Sequence, residues 1–354
     1  MFAAILGLAV LLAFAWVERR TDTALPTPTG PFAVGRDYWT LADDTADLLS
    51  PVPGTRRKLL VWMWFPATAD ARAVVDAYYP ALPATPSPQP VPHLPLISRV
   101  GISLFALLTH EPSTVHGHGL RNAEVSPQQR SYPVVIMRAG GSSSVLNLST
   151  LAEDLASHGY VVVGLDAPYR TAQVIFPDGR IVRRTDENNP ELGTGEERIA
   201  RVNKLLSAWT SDMTFVLGRL EHLQTSDPGG KFAGRLDTTH VGAFGHSFGG
   251  AQSAQFCQED SRCAAAIDVD GMPFGSVIQK GVPRPFMFIV SQQIHDTDAE
   301  SLRVKAEIQS IYDRLPPNDR CLSRSAAQTI SPSRTMVRFS RAGSCAAYSG
   351  CSAN

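Results

Sequence analysis

The sequence predicts an α/β fold in which helices cover both faces of a mostly parallel central sheet. Three observations support this prediction. Short strand-like runs alternate with longer helical stretches along most of the 354 residues. The strand-like runs are nearly continuous in apolar residues, as in strands that are buried on both faces. The third observation is a strand–turn–helix motif around Ser247, described below.

The predicted elements follow one another in alternation. The predicted strands cover residues 58–65, 132–137, 160–165, 239–244, 264–267 and 285–290. The predicted helices cover residues 148–158, 196–223, 251–256 and 299–315. Pro66 ends the first strand, and Gly159 stops the first helix because glycine commonly terminates helices. In the long helix, apolar side chains recur near the 3.6-residue period of an amphipathic helix.

A nucleophile elbow is predicted around Ser247. Residues 245–250 read Gly-His-Ser-Phe-Gly-Gly and match the G-x-S-x-G motif, with a strand before it and a helix after it. That context places the serine hydroxyl at the carboxyl end of the sheet, beside a helix N-terminus. With this motif in place, the predicted architecture is an α/β-hydrolase fold.

The composition is typical of a globular protein with a well-filled core. Hydrophobic residues make up 44% of the chain, charged residues 18%, and the formal net charge is −1. Proteins that bind nucleic acid usually carry a basic surplus. We therefore expect no nucleic-acid partner.

The chain is interpreted as four parts. Residues 1–20 form a hydrophobic anchor or signal-like segment, and residues 21–36 form a proline-rich linker. Residues 37–320 form the α/β-hydrolase domain, and residues 321–354 form an atypical C-terminal tail. Within the domain, an insertion at residues 82–131 is either a lid over the site or a helix packed on the flank.

The first 17 residues are uninterrupted apolar sequence, followed by Glu18, Arg19 and Arg20. As a helix they would extend about 25 Å, slightly less than a ~30 Å hydrocarbon core. The positive charges follow the apolar stretch, whereas a secretory signal normally has them before it. We interpret residues 1–17 as a membrane anchor. A secreted or periplasmic protein with an atypical signal and a buried core helix are the alternatives.

Two carboxyl groups are candidates for the acid that a serine nucleophile requires. Asp268 and Asp270 both end a predicted strand after the elbow, where α/β-hydrolases place the acid. Alternation puts both on one side of the strand, so spacing does not separate them. We favour Asp270 because it directly precedes Gly271, where the chain turns off the sheet. For the oxyanion hole we expect the backbone N–H groups of Phe248 and Gly141.

The five cysteines are too few for a disulfide framework. Cys257 and Cys263 are close enough in sequence to bridge a short loop in an oxidising compartment. Buried free thiols are the commoner outcome. We therefore expect the two thiols to be free.

A wider set of segments resembles the plasma/type II platelet-activating-factor acetylhydrolase family of serine esterases, including its bacterial members. These segments are residues 28–35, 64–67, 155–160, 176–180, 245–250 and 268–271, within a match from about residue 28 to residue 315. The family hydrolyses short or oxidised sn-2 acyl chains of phospholipids without a metal or other cofactor. The resemblance therefore implies a small-molecule or lipid ester substrate, an acyl-enzyme on Ser247 and Asp270 as the acid.

The chain departs from this family at the histidine. The family places its base in a stretch after the last strand, and the matching residues 335–348 contain no histidine. The only histidine after Asp270 is His295, which is interpreted as a surface-loop histidine. It would serve as a substitute base only if its loop folds back to Ser247. A reading-frame error, a divergent C-terminus and an unfamiliar but working terminus would each explain the tail. The alternatives to a phospholipid acetylhydrolase are a general lipase or polyester hydrolase, and a catalytically impaired pseudoenzyme.

Overall fold

The computed structural model describes residues 2–69, 73–79, 114–291, 298–316 and 320–325. The helices are α1 (Phe2–Arg19), α2 (Ser149–Ser157), α3 (Gly195–Ser226), α4 (Phe248–Glu259), α5 (Val277–Lys280) and α6 (Ala299–Arg314). The first strands are β1 (Thr23–Ala24), β2 (Ala33–Ala46), β3 (Arg56–Thr68), β4 (Val74–Ala77), β5 (Val115–Arg121), β6 (Glu124–Val125) and β7 (Tyr132–Arg138). The later strands are β8 (Val161–Asp166), β9 (Gln173–Ile175), β10 (Ile181–Arg183), β11 (Leu236–His246), β12 (Cys263–Val269), β13 (Phe286–Ser291) and β14 (Arg320–Ser325).

The described residues form a central sheet whose order is β1-β5-β2-β3-β8-β7-β11-β12-β13-β14. The strands from β8 to β14 in this order run parallel to one another, while β3 pairs antiparallel with both β2 and β8. The two-stranded β9–β10 hairpin lies apart from this sheet. The predicted α/β architecture is confirmed.

Apolar side chains fill the space on both faces of the sheet. On one face, buried residues of α3, α4 and α6 such as Leu217, Phe256 and Ile308 pack together with inward-facing strand residues. On the other face, Ala152 and Ala156 of α2 pack against a second set. Each set is continuous, as expected of a sheet covered by helices on both sides. The prediction of helices on both faces is therefore confirmed.

The register of three neighbouring strands brings their carboxyl ends together. Gly245 near the end of β11 pairs with Arg138 of β7 on one side and with Asp268 of β12 on the other. The loops that follow these strands therefore emerge side by side. In an open α/β sheet, this edge is where ligands bind.

Strand β3 is longer than predicted because Pro66 does not end it. The carbonyl group of Pro66 accepts a hydrogen bond from Ser126 N at 2.9 Å. This carbonyl, the only backbone polar group of the proline, therefore points away from β2. Pairing with β8 has stopped at Trp64, and the missing N–H of Pro66 therefore leaves no ladder bond unmade. Strand β2, which the sequence analysis did not predict, pairs along most of β3.

The linker predicted at residues 21–36 is instead part of the domain. It contains β1 and the start of β2. Thr29 N donates to the Asp154 carboxylate at 2.7 Å, and Gly30 N donates to Ser157 Oγ at 2.9 Å. Both acceptors lie on α2. Proline limits this segment to an extended course, and these hydrogen bonds hold it against the helix.

Residues predicted as an anchor form helix α1. Within the described ranges, none of the helices is long and apolar enough to cross a membrane. Of the predicted insertion, residues 114–131 contribute β5 and β6, and the remainder lies outside the described residues. The predicted tail begins with β14, paired parallel with β13, and residues 326–354 lie outside the described part.

Cys257 and Cys263 form a disulfide bond, so the expectation of free thiols was wrong. Their Cα atoms lie 5.0 Å apart, within the range that a disulfide spans. Both side chains are buried. The bond connects the last turn of α4 to the first residue of β12.

Candidate active site

Ser247 occupies the turn between β11 and α4, as the motif predicts. Its backbone has φ 55° and ψ −125°, a region that non-glycine residues rarely adopt and that costs free energy. Two hydrogen bonds of 2.8 Å hold this conformation, from Ser247 N to Val269 O and from Gly250 N to Ser247 O. The residue is half-buried, so the turn does not cover it completely.

The glycines of the motif allow the backbone to approach closely on both sides of the turn. A Cβ atom added to Gly245 would lie 2.2 Å from the backbone of Gly249. A Cβ atom added to Gly249 would lie 2.4 Å from the carbonyl oxygen of Arg138. Helix α4 therefore begins in direct contact with the ends of β11 and β7. Larger residues at these positions would push the serine out of place.

The structure separates the two candidate carboxyl groups. Asp268 is 1% exposed, and its carboxyl group accepts a hydrogen bond from Gly271 N at 2.8 Å. Burial raises the pKa of Asp268 to about 8, so this group is mainly protonated at neutral pH. Its environment is that of a structural residue.

Asp270 lies just beyond the end of β12 and is half-buried. Its backbone has φ 56°, and its N–H donates to Ile289 O at 2.7 Å. Its carboxylate accepts a hydrogen bond from Ser291 N at 2.9 Å. The neighbouring strand β13 thus fixes both the backbone and the side chain of Asp270.

The loop after β7 passes directly beside the serine. A Cβ atom added to Gly140 would lie 2.7 Å from Ser247 Cβ and 3.3 Å from Ser247 Oγ. The next residue, Gly141, has φ +51° and open space around it. The loop is therefore close enough to offer backbone N–H donors to a group bound at Ser247. Sequence reasoning placed Gly141 there and did not identify the tighter contact at Gly140.

Aromatic rings surround Phe248, the residue after the serine. The centroid of its ring lies 5.4 Å from that of Trp209 and 5.6 Å from that of Phe274. Trp209 comes from α3, and Phe274 follows Asp270 by four residues. Sequence analysis missed both rings, because an aromatic residue in a helical stripe is indistinguishable from an ordinary core residue. Together they form an apolar wall beside the elbow.

His246 is the histidine that the described structure couples to the acid. Burial lowers the pKa of His246, and the negative charge of Asp270 opposes this shift. His246 directly precedes Ser247 in the elbow, and we expect its side chain to support the turn. His295, the predicted substitute base, belongs to residues 292–297, which lie outside the described residues. That segment follows Ser291, whose N–H binds Asp270.

The comparisons with known proteins agree with the fold and indicate one family. The family model described as platelet-activating factor acetylhydrolase, isoform II, matches residues 18–177 and 223–314, more than half of the chain. A probable 1-alkyl-2-acetylglycerophosphocholine esterase of Arthroderma benhamiae is 27% identical over 290 residues, covering 74% of this chain and 64% of the relative. A platelet-activating factor acetylhydrolase of Bos taurus is 26% identical over 215 residues, covering 56% of this chain and 47% of the relative.

The chain therefore spans less than two thirds of the length of either relative. Among solved structures, a ferulic acid esterase from Streptomyces cinnamoneus matches with a TM-score of 0.65. The match covers 86% of this chain and 76% of the esterase at 23% identity. This likeness supports the same overall fold.

Proposed function

Because the chain belongs to the family of platelet-activating factor acetylhydrolase, isoform II, we propose that it is a serine carboxylic-ester hydrolase. The proposed substrate is a phospholipid with a short sn-2 acyl chain. The observation that carries the proposal is Ser247 on a strained strand-to-helix turn, with Asp270 and a glycine loop at the ends of the adjacent strands. The names of the relatives support the same class of reaction.

In the proposed reaction, Ser247 Oγ adds to the ester carbonyl carbon and gives its proton to a histidine. The carbonyl oxygen becomes an oxyanion that accepts hydrogen bonds from Phe248 N and Gly141 N. The histidine then passes the proton to the departing glycerol oxygen, and the C–O bond breaks. Water hydrolyses the resulting acyl-enzyme, releasing a carboxylate. Asp270 orients the histidine and stabilises its charged form.

We propose His295 as the base. The support for this is the position of Ser291, which donates its N–H to the Asp270 carboxylate and immediately precedes the segment that carries His295. Four residues of extended chain reach at most about 14 Å. We therefore propose that this histidine reaches the acid, which would orient it. His246 is assigned to the support of the turn, as the sequence analysis expects.

The experiment compares wild type with Ser247→Ala and His295→Ala, using p-nitrophenyl acetate and a phospholipid with an sn-2 acetyl group. Each substitution should lower kcat by about 10⁴- to 10⁶-fold, as removal of a triad member does. His240→Ala is the matched control, because His240 is an exposed histidine on β11 and its removal should leave kcat unchanged. Turnover that survives Ser247→Ala contradicts the proposal.

The remaining outcomes of the experiment distinguish the alternative functions. Equal turnover of long-chain triacylglycerol or of a polyester would identify a general lipase or polyester hydrolase. A folded wild-type protein that binds short-chain phospholipid without Ser247-dependent turnover would be a pseudoenzyme, which the missing histidine at residues 335–348 favours. Loss of activity in His295→Ala with an unchanged melting temperature supports His295 as the base.

For localisation, we propose a membrane-associated protein that faces an oxidising compartment. Helix α1 presents exposed apolar side chains, including Leu11, Phe14 and Trp16, which support association of residues 1–17 with a lipid surface. The disulfide between Cys257 and Cys263 supports the oxidising side. Co-sedimentation of the full chain with lipid vesicles, and its loss on deletion of residues 2–17, tests the first part. Alkylation of both cysteines without prior reduction would contradict the second.

A further inference from the structure

The side chain of Arg138 connects the oxyanion loop to the helix that carries the nucleophile. Arg138 is the last residue of β7 and directly precedes the loop that contains Gly140 and Gly141. Its side chain is 1% exposed. Arg138 Nε donates to Gln252 Oε1 at 2.9 Å, and Nη1 donates to Leu165 O at 2.9 Å.

Each partner belongs to a different element around the elbow. Gln252 lies one turn after Phe248 on α4, and Leu165 lies near the end of β8. The guanidinium group also lies 4.4 Å from the centre of the Trp209 ring on α3. Trp209 in turn contacts the ring of Phe248. One buried side chain therefore touches three elements and adjoins the loop through its own backbone.

The far end of the same loop is held by a second buried polar residue, Asp166. Asp166 accepts hydrogen bonds from Ser144 Oγ at 3.2 Å and from Val145 N at 2.9 Å. Burial raises the pKa of Asp166, and its hydrogen bonds together with the positive charge of Arg138 oppose this shift. Arg138 and Asp166 thus fix the two ends of a loop that carries a proposed oxyanion donor.

A purely structural role would not require a charge at position 138. Burial lowers the pKa of Arg138 to about 10, so the side chain remains a cation at neutral pH at a cost in desolvation. An apolar residue of similar volume commonly fills a buried site with equal or greater stability. A guanidinium group differs from such an apolar residue because its donors form a fixed, planar set that binds acceptors on two elements at once.

We propose that Arg138 is a positioning residue for ester hydrolysis, an inference that rests on the proposed function. It holds the loop of Gly140 and Gly141 against the start of α4, so that the N–H groups of Gly141 and Phe248 point at one oxygen atom. Its contribution is made in the transition state, where the oxyanion forms. Its loss is therefore expected to lower kcat more than it raises KM.

The first experiment compares Arg138→Lys, Gln252→Leu and the double variant. Lysine keeps the positive charge and lacks the planar fork, and Gln252→Leu removes the acceptor and keeps the guanidinium group. Each single variant should lower kcat by about 10²-fold, the effect of misplacing catalytic groups by about 1 Å, with KM changed less than about 3-fold. Because Gln252→Leu removes a hydrogen bond that Arg138→Lys already breaks, the double variant should lose no more than about 3-fold beyond Arg138→Lys.

The matched control is Arg36→Met. Arg36 is also 1% exposed, forms an ion pair with Asp76 and lies on β2, three strands from β7 in the sheet. This variant should lower the melting temperature and leave kcat unchanged. A loss of kcat in Arg36→Met equal to that in Arg138→Lys would overturn the proposal, because destabilisation alone would then explain the effect.

Hydrogen–deuterium exchange of peptides that cover residues 139–148 tests the positioning without catalysis. Exchange should be faster in Arg138→Lys and Gln252→Leu than in wild type, and unchanged in Arg36→Met. Unchanged exchange in the first two variants overturns the inference. Absence of Ser247-dependent turnover in wild type rejects the proposed function, and the exchange measurement still decides whether Arg138 positions the loop.

Discussion

The backbone N–H of Ser291 donates a hydrogen bond of 2.9 Å to the carboxylate of Asp270. The acid is therefore oriented by β13, the strand beyond its own. Ser291 is also the last residue of β13 and precedes His295 by four residues in the sequence. One strand end thus determines both the direction of the acid and the origin of the segment that carries the proposed base.

Asparagine substitutions should distinguish the two carboxyl groups. Asp270→Asn should lower kcat by about 10⁴-fold, because an amide does not stabilise the charged histidine or select its tautomer. Asp268→Asn keeps an oxygen that accepts from Gly271 N and should retain kcat within about 10-fold. Steady-state kinetics with p-nitrophenyl acetate, together with thermal melts, measure the difference. Equal losses in the two variants would mean that Asp270 has no special role.

Stability should fall as the pH rises through the range where Asp268 stays protonated in the folded state. Its folded pKa is about 8 and its unfolded value is 3.8, so between these values the folded state binds one more proton than the unfolded state. Stability is then greatest below pH 4 for this group and decreases by on the order of 1 kcal/mol per pH unit up to about pH 8.

Asp268→Asn removes the titrating carboxyl group and therefore provides the control. Urea unfolding at pH 5, 6, 7 and 8 should give a flatter dependence on pH for the variant than for wild type. The carboxyl group of Asp212, whose pKa burial raises to about 7, contributes with the same sign in both proteins. Parallel curves would show that the folded state holds no extra proton on Asp268 in this range.

Adding a methyl group to the loop after β7 should impair catalysis at one position and stability at the next. Gly140→Ala places a carbon atom 2.7 Å from Ser247 Cβ, so kcat/KM should fall by about 10²-fold or more. Gly141→Ala meets open space but keeps φ +51°, so it should cost about 1 kcal/mol in stability. Kinetics and urea unfolding of both variants test this contrast, and a larger kinetic defect in Gly141→Ala would contradict it.

Removing the disulfide should weaken the connection between α4 and β12. Cys257 and Cys263 are separated by 6 residues, and closing a loop of this size stabilises a fold by about 2 kcal/mol. Replacing both with serine should lower the free energy of unfolding by about that amount. Reductant should destabilise wild type to the same degree and leave the double variant unchanged. A response of the double variant to reductant would show that another bond is involved.

Local features of the chain were predictable because their signals are local. The elbow at Ser247 is defined by six consecutive residues between a strand and a helix, and the structure places it there. The sequence did not separate Asp268 from Asp270, because alternation places both side chains on the same side of the predicted strand. Their different burial arises from packing under α4 and from pairing with β13, neither of which the sequence of β12 contains.

Long-range features were not predictable from the chain. Strand β2 carries several charged residues and becomes a strand because β3 pairs along it. The side chain of Arg138 interrupts no visible pattern, and its partners Leu165 and Gln252 are distant in sequence. Pro66 has the sequence signature of a strand end, because the sequence does not show which partner would need its N–H.

The three rings beside the elbow differ in how freely they can be exchanged. Phe248 supplies a proposed backbone donor, and Trp209 supports the guanidinium group of Arg138. Phe274 contacts Phe248 through its ring and is half-buried. An effort to widen the range of accepted acyl groups would therefore begin at Phe274, because a smaller side chain there leaves those two supports in place.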